Sequence, residues 1–165
     1  MWLRCLADLI FPRKCEICGR LLTGDERYIC EDCMEDMPLT YYWDWPENPA
    51  EKKLWVRTHL HRVIPLFFYT RESRYITLIH KIKYQGKAHL GHHMGSLLGE
   101  KIKRALPDVD YIVPVPLHPL RKWRRGYNQA EVIARGVAEA MFGPSDASDR
   151  VLTDVLKRVR YTRTQ

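Results

Sequence analysis

The chain has no hydrophobic run long enough to cross a bilayer. Its longest stretch without a formally charged residue, Ala88 to Gly99, is 12 residues long and contains three histidines; a spanning helix needs about 20 apolar residues. An export signature is lacking too. Met1 to Phe11 is apolar, but Arg4 and Asp8 interrupt it and no small-residue cleavage site follows. There is no internal repeat and no low-complexity tract. At 45% hydrophobic and 28% charged, the composition is that of a globular chain and not a disordered one. A length of 165 residues allows one domain, or one domain with a small module. A soluble cytoplasmic protein without membrane insertion is expected.

Acidic residues are scarce after the first third of the chain. Residues 1–50 carry 5 Lys/Arg against 10 Asp/Glu, whereas residues 51–165 carry 22 against 10. This acidic head on a basic body places a composition boundary near residue 50. A body so basic attracts polyanions, either phosphorylated small molecules or nucleic acid. Solvated lysines and arginines scattered over a surface would give the same count.

Cysteine is sparse but patterned. Four of the five cysteines, Cys15, Cys18, Cys30 and Cys33, form two C-x2-C pairs separated by eleven residues. Two such pairs converge as knuckles on a tetrahedral Zn²⁺. Gly19 suits the first knuckle because glycine tolerates positive φ. The intervening Arg20 to Ile29 fits a hairpin turning at Thr23-Gly24-Asp25. Disulfides are disfavoured, since nothing marks the chain for export and a reducing cytosol keeps thiols free. Four thiolates leave no open coordination position, so the expected Zn²⁺ is structural. Cys5 stands outside the pattern and reads as a small buried apolar residue.

Between head and body, Pro38, Pro46 and Pro49 punctuate an aromatic segment holding Tyr41, Tyr42, Trp43, Trp45 and Trp55. Such a cluster can stack bases, but more often packs a module against its neighbour. From residue 63 the pattern reads as α/β. Strands are expected over Val63–Tyr69 and Asp110–Pro116, and helices over Arg74–Tyr84, Leu90–Leu106 and Asn128–Phe142. Asn128 is the expected cap of the last helix, with Glu131 closing a capping box. His89 and His93 lie four apart on one helical face, with no carboxylate within a turn to complete a metal site. They read as solvated or packing residues.

The segment Tyr111 to Gln129 is the most informative. A buried strand is followed by a loop carrying Arg121, Lys122, Arg124 and Arg125, then by a helix starting at Asn128. Strand, basic loop and helix N-terminus form an anion-binding arrangement, because the first helical N–H groups and the arginines face the ligand. Gly126 would let the backbone approach it closely. A charge run can also be a solvated face; its place between strand and capped helix favours the anion site.

These motifs together resemble the ComF family of bacterial competence-related proteins. The resemblance rests on the apolar start ending in Phe11-Pro12, the four-cysteine ribbon, and Leu78-Ile-His-Lys-Ile-Lys-Tyr84 followed by Gly86. It rests also on Val113-Pro-Val-Pro116, and on Arg125-Gly-Tyr-Asn-Gln129, close to the family's RGFNQ. The segment Leu156 to Gln165 is similar to its R-x-R-x-T-x-x-Q.

The resemblance implies an α/β architecture in which a zinc ribbon (residues 1–50) precedes an incomplete type I phosphoribosyltransferase-like, Rossmann-like domain (residues 51–165). In that fold the loop Arg121 to Gly126, with Asn128 after it, binds the pyrophosphate of phosphoribosyl pyrophosphate, with Mg²⁺ in a full-length form. The family's later acidic pair and T-T-G-x-T loop, which grip the ribose and 5′-phosphate, do not occur before Gln165. The chain alone is therefore expected to lack transferase activity, and no catalytic residue is named. Implied roles are in competence and DNA uptake or in nucleotide metabolism. The implied partners are a phosphorylated small molecule or single-stranded DNA, together with DNA-uptake proteins. The alternatives are a non-enzymatic accessory for import of single-stranded DNA and a zinc-stabilised interaction module.

Overall fold

The computed structural model describes residues 12–160. Cys5, the rest of Met1 to Phe11, and Tyr161 to Gln165 of the terminal motif lie outside the described residues. Among the described residues, six helices run in the order α1 (Glu31–Glu35), α2 (Pro49–Trp55), α3 (Ile76–Tyr84), α4 (Ala88–Ile102), α5 (Pro119–Arg125) and α6 (Gln129–Phe142). Both long helices stand where the apolar spacing places them. Asn128 caps α6 by accepting the Ala130 N–H at 3.1 Å. The second half of the expected capping box does not form, because the Glu131 carboxylate is held instead by Arg135, one turn on, at 2.9 Å.

The described residues are helix-rich and contain almost no strand, so an α/β sheet is not what they form. Pairing is limited to isolated bridges, Lys14 with Leu21, Leu39 with Phe67, and Ile112 with Val151. Both expected strands are extended segments with little to pair against. The first bonds through Thr40 N–H to Leu66 O (3.1 Å) and Phe68 N–H to Pro38 O (2.8 Å). The second bonds through Ile112 N–H to Arg150 O (2.8 Å) and Leu152 N–H to Ile112 O (3.0 Å). Apolar alternation measures fit to a half-buried pleated surface, not the presence of a neighbouring strand. Pro114 and Pro116 also lack the N–H that a ladder requires.

Helices α4 and α6 form the centre of the body and approach backbone to backbone. A Cβ placed on Gly95 would lie 2.1 Å from Ile133 O, and one on Gly136 would lie 2.0 Å from His92 O. Trp43 packs with Ile102, Val137 and Met141 at one end of this pair. The packing reading of the aromatic segment thus holds for Trp43 and for buried Tyr42, whereas Tyr41, Trp45 and Trp55 remain exposed.

Ribbon and body share a core. Cys15, Leu22, Ile29, Cys33 and Met37 form one cluster with Leu78, Ile82, Leu90 and Met94 of α3 and α4. The opposed charges meet across the same seam, where Glu16 pairs with Lys81 at 2.9 Å and with Lys87 at 3.1 Å. Tyr28 stacks against His89 and His93, with ring centroids 4.9 and 5.3 Å away. His92 pairs with Glu139 of α6 at 2.9 Å. The histidines are packing and pairing groups.

A second anchor is a buried ion pair that the sequence pattern did not single out. The Glu51 carboxylate, with its side chain 1% exposed, accepts from Arg62 Nε at 2.9 Å. It also accepts the Val63 and Asn48 N–H groups, each at 3.2 Å. Arg62 donates in turn to Tyr42 O and Trp43 O at 2.9 and 3.2 Å. This network fastens the aromatic segment to the chain that follows it.

Candidate metal centre and anion-binding segment

The two knuckles form by different local means. In the first, Cys15 N–H bonds Arg20 O (2.7 Å) and Gly19 N–H bonds Cys15 O (3.0 Å), with Gly19 at φ +78°. In the second, Cys30 is the N-cap of α1 and Cys33 lies within it. The hairpin between them turns where expected, with Glu26 N–H on Thr23 O at 3.1 Å. The Glu26 carboxylate also accepts from Thr23 N–H and from Glu31 N–H, both at 2.7 Å, and these bonds pull its pKa down to about 2.

All four thiols, Cys15, Cys18, Cys30 and Cys33, converge, their sulfurs lying within 4.8 Å of one another. Tetrahedral Zn–S bonds of about 2.3 Å require sulfurs about 3.8 Å apart, and Cys18 Sγ lies 3.6 Å from Cys30 Sγ. The donor set therefore fits zinc.

Cys15, Cys30 and Cys33 do not ionise alike. Burial raises Cys15, but N–H groups of Cys18, Cys30 and Ile17 outweigh it and bring its pKa to about 6. Burial pushes Cys30 and Cys33 up, and the Cys15 and Cys18 thiols push both further. Four crowded thiols ionise together only around a cation. With four protein sulfurs the shell is filled, and a zinc there is structural.

The expected basic loop is instead mostly the short helix α5. Pro119 opens it, and His118 Nδ1 accepts the Leu120 N–H at 3.3 Å as its cap. Gly126, at φ +84°, closes it in the left-handed conformation, with its N–H on Lys122 O at 2.8 Å. Gly126 thus serves as the terminator of a helix, a role glycine fills without strain.

Along α5 the cations diverge. Arg124 is exposed, and Arg121 is partly buried. The Arg125 guanidinium donates to Gln129 Oε1 and lies over the Tyr84 ring, 5.7 Å from its centroid. Tyr127 donates its hydroxyl to Ile82 O, tying the segment to α3. Buried Asn128 uses its side-chain oxygen to cap α6 and its amide N–H on Val115 O at 3.1 Å.

Of the residues picked out from sequence, Lys122 and Asn128 come together at a cavity of about 200 Å³. It opens beside Pro116 and Leu117, at the carboxyl end of the extended segment 110–116. Lys157 and Arg158 line the same cavity. Arg158 opens the terminal R-x-R motif and Lys157 directly precedes it, but spacing alone gave them no site role because about thirty residues separate them from Asn128. The cavity carries one carboxylate, Glu131, which lies 3.9 Å from Lys122. Three cations against one anion leave it electropositive.

A double zinc ribbon domain family matches residues 6–42, a stretch holding four cysteines and no histidine, which makes one tetrahedral set. Among curated proteins, Competence protein F of Haemophilus influenzae is 33% identical over 95 residues, covering 53% of this chain and 38% of that protein. DNA utilization protein YhgH of Salmonella typhi is 26% identical over 156 residues, covering 92% of this chain and 62% of that protein. The Escherichia coli K12 protein of the same name is 25% identical over the same span. The chain therefore spans less than two thirds of the length of these relatives. No solved structure matches it.

Proposed function

This chain is a ComF-family protein, as its curated homologues and its zinc ribbon support, and from that premise we propose that its body binds a phosphate or pyrophosphate group in the service of DNA uptake or nucleotide metabolism. The observation that carries the reading is the convergence of Lys122, Lys157 and Arg158 beside the capped N-terminus of α6. Helical N–H groups and neighbouring cations favour an anion there. Arg124 extends the positive surface, while Arg121, Arg125 and Gly126 shape the short helix that presents it. In this reading the body is the first part of a phosphoribosyltransferase-like, Rossmann-type domain. Residues 110–116, extended and bridged at Ile112 to Val151, take the place of its first core strand, and residues 1–50 are its ribbon. Cys15, Cys18, Cys30 and Cys33 hold one structural Zn²⁺, in keeping with a reducing cytoplasm that leaves thiolates available to a metal. Glu131 is engaged by Arg135, and we assign no Mg²⁺ to it.

A second reading uses the same surface for the backbone of single-stranded DNA. Lys122 and Arg124 both face solvent, and the relatives are named for competence and DNA utilization. Calorimetric titration with pyrophosphate tests the primary reading. Replacing Lys122 and Lys157 by alanine should remove most binding, since charge-assisted hydrogen bonds contribute about 1.5–3 kcal/mol each. Replacing Lys101 and Lys103, distant on and after α4, should change it little. Equal losses in both variants would mean that net charge alone acts, and the site would be dismissed.

A further inference from the structure

Trp123 is 84% exposed, more than any other aromatic side chain among the described residues. It lies in α5 between Lys122 and Arg124, one turn after Leu120, itself 59% exposed. Helical spacing puts Leu120, Trp123 and Arg124 on one outward face, while Lys122 lies at the cavity with Lys157 and Arg158. No Asp or Glu occurs from Tyr111 to Ala130, and the neighbours of the indole along the helix, Lys122, Arg124 and Arg125, are all cations; Glu131 lies against Lys122 on the cavity side. Tyr42 and Trp43 are buried in packing; the Trp123 ring does no such work for the fold. A bare aromatic face among cations is the chemistry that takes up single-stranded nucleic acid. Cations track the phosphates, and each unpaired base offers a π-face for stacking. A duplex keeps those faces inside its own stack.

We propose that Trp123 stacks on an unpaired base of a strand whose phosphates lie on the Lys122–Arg124 surface, so that α5 selects single-stranded over double-stranded nucleic acid. This rests on the reading that the surface binds phosphate. It adds the element that distinguishes a strand from a phosphorylated small molecule. Leu120 supplies an apolar edge beside the ring, and Arg125, fixed by Gln129 and Tyr84, stiffens the end of the helix.

The test uses the full chain and its Trp123→Ala and Trp123→Phe variants. Probes are a fluorescent oligothymidylate, an abasic strand of equal length, a duplex of that length, and inorganic pyrophosphate. The wild-type protein should bind oligothymidylate more tightly than the abasic strand or the duplex. Trp123→Ala should weaken oligothymidylate binding about 5- to 160-fold, the range of one base–aromatic stack, and leave its abasic-strand and pyrophosphate binding unchanged. Trp123→Phe should retain most of the affinity. A wild-type protein indifferent to removal of the bases, or a Trp123→Ala variant that binds oligothymidylate like the wild type, would overturn the proposal. Binding of pyrophosphate but no strand would remove the stacking role and leave the phosphate site standing. Binding of neither would remove both.

Discussion

Replacing Gly95 with alanine should destabilise this protein, although the same exchange inside an exposed helix is favourable by about 1 kcal/mol. The reversal comes from the α4–α6 crossing. The added methyl would sit 2.1 Å from Ile133 O and 2.9 Å from its carbonyl carbon. Ordinary carbon–oxygen contact is about 3.2 Å, so the helices must part by about 1 Å. Backbone cannot rotate aside as a side chain can, and close-packed interiors transmit the shift. The separation would loosen the contacts of Val137, Ile102 and Met141 at the same crossing. Overpacking costs about 1–3 kcal/mol, and a backbone clash falls at the upper end. Subtracting the propensity gain leaves a net loss of about 2 kcal/mol. For a domain of this size that is about 4–8 °C in Tm. Gly91→Ala, on the same face one turn earlier, is the control. Its methyl would meet Ile82 Cγ2 and Val132 Cγ1 at 3.4 Å, an ordinary contact, so stability should hold or rise. Urea unfolding followed by circular dichroism distinguishes the two. Equal stability of Gly95→Ala and wild type would refute the close-approach argument, as would a loss of the same size in Gly91→Ala.

Purified protein should contain one equivalent of zinc per chain, and its removal should unfold the ribbon and loosen α3, because Cys33 and Leu78 belong to one core. Metal analysis with a thiol titration before and after chelation checks this, and four readily titrated thiols in the untreated protein would count against it. Arg62→Met should cost about 3–5 kcal/mol by leaving the Glu51 charge buried without its partner, measured as a drop in urea midpoint. Burial pushes the Glu51 carboxyl up, but the Val63 N–H and the Arg62 guanidinium outweigh it and hold its pKa below the ordinary value. Its stabilisation is therefore complete above pH of about 4.3, the unperturbed glutamate value, and is lost as the pH falls below it. Glu51→Gln should flatten that acid limb, and an unchanged limb would show that the pair does not set it.

Much of the site was legible in the chain itself. Two C-x2-C pairs specify a knuckle geometry through local bonds, since each needs only a tight turn or a helix start. The helices α4 and α6 were readable because apolar residues recur at helical spacing and Asn128 caps the second. The basic run at 121–125 was visible, but its conformation was misread. Pro119 as a first helical residue and Gly126 as a left-handed terminator are helix signals, here obscured by the density of charge.

Other features required the tertiary structure, because they depend on which distant residues meet. Lys157 and Arg158 join Lys122 through a chain reversal that no local pattern encodes. Glu51 and Arg62 look like surface charges until both are enclosed beneath Tyr42 and Trp43. Gly91, Gly95 and Gly99 recur every fourth residue, yet only the position of Ile133 and Val137 decides which of them must remain bare. The expected strands failed for the same reason. An extended backbone is a local property, whereas a sheet exists only where a second edge arrives to accept its hydrogen bonds.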